Sequence, residues 1–329
     1  MVHLLPRLHL FEINDQFWFP QYFRSKIQSC LTLCWTFYVP LLQPSSPAQL
    51  VARTLSRELS TNITNYTYVD FCSGAGGPTP YIEIHLNSQL RSSSSSAAPP
   101  SNEENTYAAI ATAPRTNGVT PHPVMQSTQS SEVKFVLTDL HPHIPDWTAA
   151  SKKSANLTFV DKPVDAANAP TDLLEGVKGR EDKGKKVFRL YNLAFHHFPD
   201  ALAAEILRNT MDTADGFAIF ELQERTISSL ITMFGMGILM MIITPFYFWR
   251  SPGHLFFTYV IPVIPFVLVF DGLISSLRTR NAKEVEALMK RAGGKDGFGA
   301  PGWKLMSGRE RHTFPTGYMT WVMGIKEDK

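Results

Sequence analysis

Cysteine is scarce in this chain, and neither sign of charge is in surplus. The three cysteines, Cys30, Cys34 and Cys72, form no Cys-x-x-Cys pair and cannot build a disulfide framework. A crosslinked scaffold is thereby excluded, and a reducing compartment suits the chain. Lysine and arginine number 31 against 29 acids, a net charge of +2. No DNA- or RNA-binding motif accompanies that balance, and no nucleic-acid partner is expected. Residues 178–186 are charge-rich but mixed in sign, as in a solvated loop. His141-x-His143 and His196-His197 lack the extra Cys, Asp or Glu pattern of a zinc site, so no metal is expected. His141 and His143 are expected to flank the turn after Asp139. Arg7, Glu12 and Asp15 interrupt the apolar core a signal peptide would need, and no clear cleavage site follows. The sequons at Asn62, Asn65 and Asn156 abut or open expected strands, where glycans would obstruct folding; they are read as accidental.

What is present is enough to fold. At 44% hydrophobic and 18% charged residues, the chain can bury a sizeable core as one large domain or two small ones. Its most informative stretch is Tyr68-Val69-Asp70-Phe71-Cys72-Ser73-Gly74-Ala75-Gly76-Gly77-Pro78. An apolar run ends on an acid, enters a small-residue turn, and leads into a helix-compatible segment over residues 79–90. Glycine in such a turn lets a ligand approach the backbone, and the following helix points free N–H groups at it. A dinucleotide site would need G-x-G-x-x-G with an acid about twenty residues on. Neither is found: Cys72 stands at the first glycine position, and the next acidic strand end is Asp139.

The order Asp70, Cys72, Gly74, Gly76 instead resembles the first motif of class I S-adenosylmethionine-dependent methyltransferases, with Cys72 a departure from its usual glycine. The resemblance implies S-adenosyl-L-methionine as cofactor, held by Asp70, Ser73, Gly74, Ala75 and Gly76. It further implies that Asp139, with Leu140 beside it, takes the ribose hydroxyls at the end of a strand over residues 133–139. Asp165 and Ala166, after a third strand over 156–160, would meet the adenine, and Asn192 would close a fourth strand over 188–193. A fifth strand over 217–222 and a final pair over 303–309 and 317–326 complete the series. Alternating strands and helices imply an α/β fold, a Rossmann-like methyltransferase sheet of seven strands with the last pair antiparallel.

Two insertions interrupt that frame. Residues 91–131 are rich in Ser, Ala, Pro, Thr and Asn, and are expected to be a disordered surface loop. Residues 227–249 carry no charge; as a helix they would reach about 34 Å, enough to cross a hydrocarbon core. A second apolar run, 255–276, is broken only by Asp271. Together they are expected to form an apolar or transmembrane helical hairpin, with cations denser at its open end and the catalytic domain cytosolic. The alternatives are a buried cap on the sheet or, given Pro245, Pro262 and Pro265, a re-entrant or interfacial hairpin. The expected organisation is an aromatic lid or membrane-interface segment (1–60), a cofactor-binding core (61–226), the hairpin (227–280), and a final helix and strands (281–329).

By position, Asn192, Phe195, His196 and His197 line the substrate entrance, with Glu221 at the neighbouring strand end. A neutral histidine there, His196 or His197, could accept a proton from the methyl acceptor. Asp271, Ser275 and Arg278 share one helical face, so Arg278 is the expected partner of Asp271, in an ion pair or a substrate site. The leading expectation is methyl transfer to a small-molecule or lipid acceptor at a membrane. The alternative is a non-catalytic membrane protein that keeps the fold as a scaffold or binding module.

Overall fold

The computed structural model describes residues 5–97, 132–175, 177, 184–293 and 302–327. A sheet of 7 strands runs through its centre in the order β3-β2-β1-β4-β5-β7-β6. The strands are β1 (Tyr66–Phe71), β2 (Phe135–Thr138), β3 (Leu157–Phe159), β4 (Lys186–Asn192), β5 (Gly216–Glu221), β6 (Trp303–Thr313) and β7 (Gly317–Lys326). Strands β1 to β5 are parallel, while β7 runs antiparallel to both β5 and β6. The expected class, strand number and antiparallel last pair are all present.

Burial on both faces explains the near-continuous apolar strands. In β1, Tyr66 and Tyr68 face one core while Val69 and Phe71 face the other; in β5, Ala218 and Phe220 alternate with Phe217 and Ile219. The first face is covered by α2 (Pro47–Leu59) and α3 (Thr79–Ala97). The second is covered by α5 (Asp200–Thr213) and α9 (Ala282–Ala292); the short α4 (Ile144–Ser151) follows β2. Caps fix the helix starts. Ser46 accepts from the Gln49 N–H, with Pro47 in the first turn, and Asn281 and Glu284 form a reciprocal capping box.

Two boundaries differ from expectation. Helix α2 belongs to the core rather than to a lid, because Val51 and Leu55 are fully buried against the sheet. Helix α3 continues to Ala97, past the start expected for the Ser-rich insertion. The rest of that insertion, 98–131, lies outside the described residues, as do 178–183 of the charged loop.

The second apolar run is not one straight helix. It forms α7 (Pro252–Tyr259) and α8 (Val263–Arg278), bent by 69° at a break that contains Pro262. Proline removes a backbone donor and clashes with the preceding turn, which accounts for the break. Among the described residues, one helix, α6 (Ile227–Tyr247), is by itself long and apolar enough to cross a membrane. Helices α1 (Gln21–Thr36), α6, α7 and α8 form a second layer over the carboxyl ends of β4 and β5. Glycine permits close contacts within it: a Cβ on Gly237 of α6 would lie 2.2 Å from a methyl of Val269 on α8.

Candidate functional site

The glycine turn after β1 is tied to β2 at every step. The Ser73 N–H donates to the Thr138 carbonyl (3.0 Å), and the Ser73 hydroxyl donates to the Asp70 carbonyl (2.9 Å). The Gly74 N–H donates to Asp139 Oδ2 (2.8 Å), and the His141 N–H donates to Asp139 Oδ1 (2.8 Å). Trp147 closes the turn by donating from Nε1 to the Gly74 carbonyl (2.8 Å). The backbone is left-handed at Cys72 (φ 63°), Gly74 (51°), Gly76 (105°) and Gly77 (49°). Glycine adopts that region freely, whereas Cys72 holds it against its own Cβ.

Asp70 is buried at the base of the turn, where its carboxylate accepts from the Thr79 hydroxyl (2.7 Å) and from Asn192 Nδ2 (3.2 Å). Burial pushes its carboxyl up to about 7, although the hydrogen bonds from Thr79, Ser73 and Asn192 act the other way. The carbonyl oxygen of Asn192 is buried and unpartnered. A buried acceptor without a donor is costly, so this corner is built to receive an N–H or O–H group. Beside a carboxylate, an ammonium is a donor of the matching kind, and the turn is half-buried at Gly74 and Ala75 while Gly76 is buried. Asp165 is exposed and accepts from the Ala167 N–H (2.9 Å), while the buried Ala166 carbonyl accepts from Arg189 (3.3 Å). Leu140 is 52% exposed beside Asp139. Asp70, Ser73, Gly74, Asp139 and Asn192 are thus brought together around one turn, while Asp165 and Ala166 lie on the loop after β3.

A cavity of about 160 Å³ lies between the ends of β4 and β5 and the helical layer. Its apolar wall includes Ile27, Leu31, Met233, Met236 and Leu268; its polar end holds Glu12, His196, His197, Gln223, Asp271 and Ser275. His196 is buried, with Nδ1 2.8 Å from Glu221 Oε2, and its backbone N–H donates to Glu221 Oε1 (3.1 Å). His197 Nδ1 lies 2.9 Å from Asp15 Oδ2. Burial works against the His197 cation, but the Asp15 hydrogen bond and the Glu12 and Asp15 charges outweigh it and raise its proton affinity.

Two expectations are corrected here. Phe195 is turned away from the cavity and packs between Tyr191 and Phe198 in the core. Arg278 does not pair with Asp271. It donates to Glu12 Oε1 (2.8 Å) and Asp15 Oδ2 (3.3 Å), while Asp271 accepts from the backbone N–H groups of Ile13 (2.7 Å) and Asn14 (2.9 Å). Seven residues of helix separate the two by about 10 Å, and the N-terminal segment fills that gap. Ser275 donates to Glu12 Oε1 (3.0 Å), so its place at the site is through Glu12.

Glu12 and Asp15 are the residues that the sequence did not bring to this site. A signal was present, since they are the only acids before Glu58 in an otherwise aromatic and apolar segment. Their contact with residues almost two hundred positions on has no local signature.

No family model matches the chain, and no curated protein matches it. Similar solved structures include an O-methyltransferase family protein from Burkholderia thailandensis (10% identity, TM-score 0.40, 86% of this chain and 57% of that one). The pyocyanin biosynthetic protein is similar at 11% identity and a TM-score of 0.42, over 85% of this chain and 55% of that one. Magnesium protoporphyrin IX methyltransferase from Synechocystis PCC 6803, with bound S-adenosylhomocysteine, is similar at 11% identity and a TM-score of 0.39, over 85% of this chain and 83% of that one. The chain spans little more than half the length of the first two, and likenesses this distant assign no activity.

Proposed function

We propose that the chain is an S-adenosylmethionine-dependent methyltransferase acting on a small, lipophilic acceptor at a membrane surface. The observation that carries the reading is the corner formed by Asp70 and the unpartnered Asn192 oxygen beneath a left-handed glycine turn. When bound, S-adenosylmethionine supplies a methyl group on a positively charged sulfur. Asp70 and Asn192 would hold its ammonium, Asp139 its ribose, and the loop carrying Asp165 and Ala166 its adenine. The acceptor would lie in the apolar cavity, its polar end against His196 and His197, with Glu221 fixing His196. Methyl transfer is served chiefly by alignment of donor and acceptor. Titration calorimetry with S-adenosylmethionine and S-adenosylhomocysteine tests the reading; folded protein that binds neither would sink it.

The membrane part rests on α6. Ile227, Ile231, Phe234, Ile238, Ile242 and Phe246 recur at helical spacing, and all are more than half exposed. Residues 21, 25 and 29 on the outer side of α1 are polar and exposed instead. A layer apolar on one outer side and polar on another suits a helix lying in the interface better than a bundle surrounded by lipid. An acceptor dissolved in the bilayer would then reach the cavity through the layer beside it.

A second reading, a binding module without turnover, draws on Cys72, whose side chain occupies the turn where the resemblance expects glycine. Donor binding with no product from lipid extracts given isotopically labelled donor would favour it.

A further inference from the structure

We infer that Glu12, His196 and His197 form a site for one divalent cation of the zinc class at the polar end of the acceptor cavity, an inference that rests on the acceptor site proposed above. Ligand-capable atoms of the three residues lie within 4.8 Å of one another. His196 Nε2 is 3.7 Å from Glu12 Oε1, and His197 Nδ1 is 3.9 Å from Glu12 Oε2. Both separations are too long for hydrogen bonds. They approach the roughly 3.3 Å between two ligands of one tetrahedral zinc ion.

The surroundings are those of histidine ligands. Glu221 takes His196 Nδ1 at 2.8 Å, which leaves Nε2 as the nitrogen with a free lone pair. Asp15 meets His197 at Nδ1 (2.9 Å), the nitrogen that also faces Glu12, so an ion there would take the place of the Nδ1 proton with the Asp15 carboxylate beside it. The carboxylate behind His196 fixes its tautomer and strengthens it as a ligand. Charge points the same way. Glu12, Asp15 and Glu221 are three carboxylates, against which Arg278 sets one guanidinium. Asp271 adds a fourth acid, answered by two backbone N–H groups, and His9 adds no fixed charge beside Arg278. Arg278 and Ser275 both engage Glu12 Oε1, so Oε2, which faces His197 Nδ1, is the oxygen left for an ion. The separation from His196 Nε2 to Oε1 shows only that His196 reaches the same carboxylate. The cluster holds more carboxylates than cations, and a divalent cation would supply positive charge there. Such an ion would hold and polarise the oxygen or nitrogen of the acceptor.

Metal-free, full-length protein in mild detergent, titrated with Zn²⁺ alone against a chromophoric chelator, should take up one equivalent. Co²⁺ should give visible absorption bands of a histidine-ligated site. Glu12→Gln and His197→Ala should each weaken uptake at least tenfold, and Glu221→Gln, which removes no ligand, by about 10- to 100-fold. Ser29→Ala, on the exposed outer side of α1, should leave it unchanged. No stoichiometric uptake by folded wild-type protein, or uptake equal in all variants, overturns the site. Calorimetry with S-adenosylmethionine on the same samples separates the two readings. Donor binding without metal uptake keeps the methyltransferase and removes the ion, whereas uptake without donor binding keeps the ion site and removes its proposed role.

Discussion

His312 gives the clearest coupling between pH and stability in this fold. It stands in β6 almost fully buried, with Nε2–H donating to the Leu222 carbonyl (3.1 Å) and Nδ1 accepting from the Thr313 hydroxyl (2.9 Å). Burial penalises the imidazolium and brings its pKa down to about 4, although the bond to Leu222 acts the other way. An unfolded histidine takes its proton near pH 6.5, so between about 6.5 and 4 the unfolded chain binds the proton and the native chain does not. Stability from this residue is therefore full above pH 6.5 and is lost as pH falls, by about 3 kcal/mol across the whole window and about 2 kcal/mol at pH 5. Other histidines titrate in the same range, so the comparison must isolate this one. Urea unfolding at pH 7.5 and pH 5, on wild-type protein and on His312→Gln at fixed detergent, does so. The glutamine can still donate to Leu222 but cannot take up a proton. The variant should be less stable than wild type at pH 7.5, and should lose about 2 kcal/mol less on acidification. Equal losses would refute the assignment of the coupling to His312.

Asp139→Ala should weaken S-adenosylmethionine binding by roughly ten- to a hundredfold in calorimetry, since hydrogen bonds to a charged acceptor contribute about 1.5–3 kcal/mol. Because Asp139 also receives the Gly74 and His141 N–H groups, the same variant should melt at a lower temperature, an effect confined to the fold. Gly237→Ala should destabilise the helical layer by about 1–3 kcal/mol in chemical unfolding, because its Cβ would meet Val269, which cannot swing aside. Phe234→Glu with Ile238→Glu should abolish flotation with phosphatidylcholine vesicles while leaving donor affinity unchanged; retained flotation would show that α6 does not face lipid.

Much of the sheet was legible because each strand carries its own signature. Residues 66–71 and 216–221 are short, largely aromatic and apolar runs buried on both faces, with an acid at or next to the end of each strand. Asp70, Gly74 and Asp139 could be placed for the same reason: strand, turn and acid lie close together in sequence or at a strand end. The N-terminal contribution was not legible. Glu12 and Asp15 meet His196, His197 and Arg278 only after the chain has passed around the whole sheet, and no local periodicity encodes that contact. The i, i+7 spacing of Asp271 and Arg278 suggested a pair because it correctly gives a shared helical face, but it says nothing of a segment laid between them. The bend between α7 and α8 was hinted at by Pro262, though hydropathy alone showed one continuous apolar run.

The placement of β7 between β5 and β6 sets an order of events during synthesis. Glu221 pairs with Thr320, so about a hundred residues, including α6, α7 and α8, leave the ribosome before β5 gains its second neighbour. Until then β5 presents an unpaired edge and α6 is already complete. Pairing between segments so distant is slow, and an exposed strand edge beside a free apolar helix favours association with other chains. A nascent chain arranged in this way gains from meeting a bilayer or a chaperone before its last strands are made, and truncation before residue 317 should yield an aggregating product rather than a smaller soluble domain.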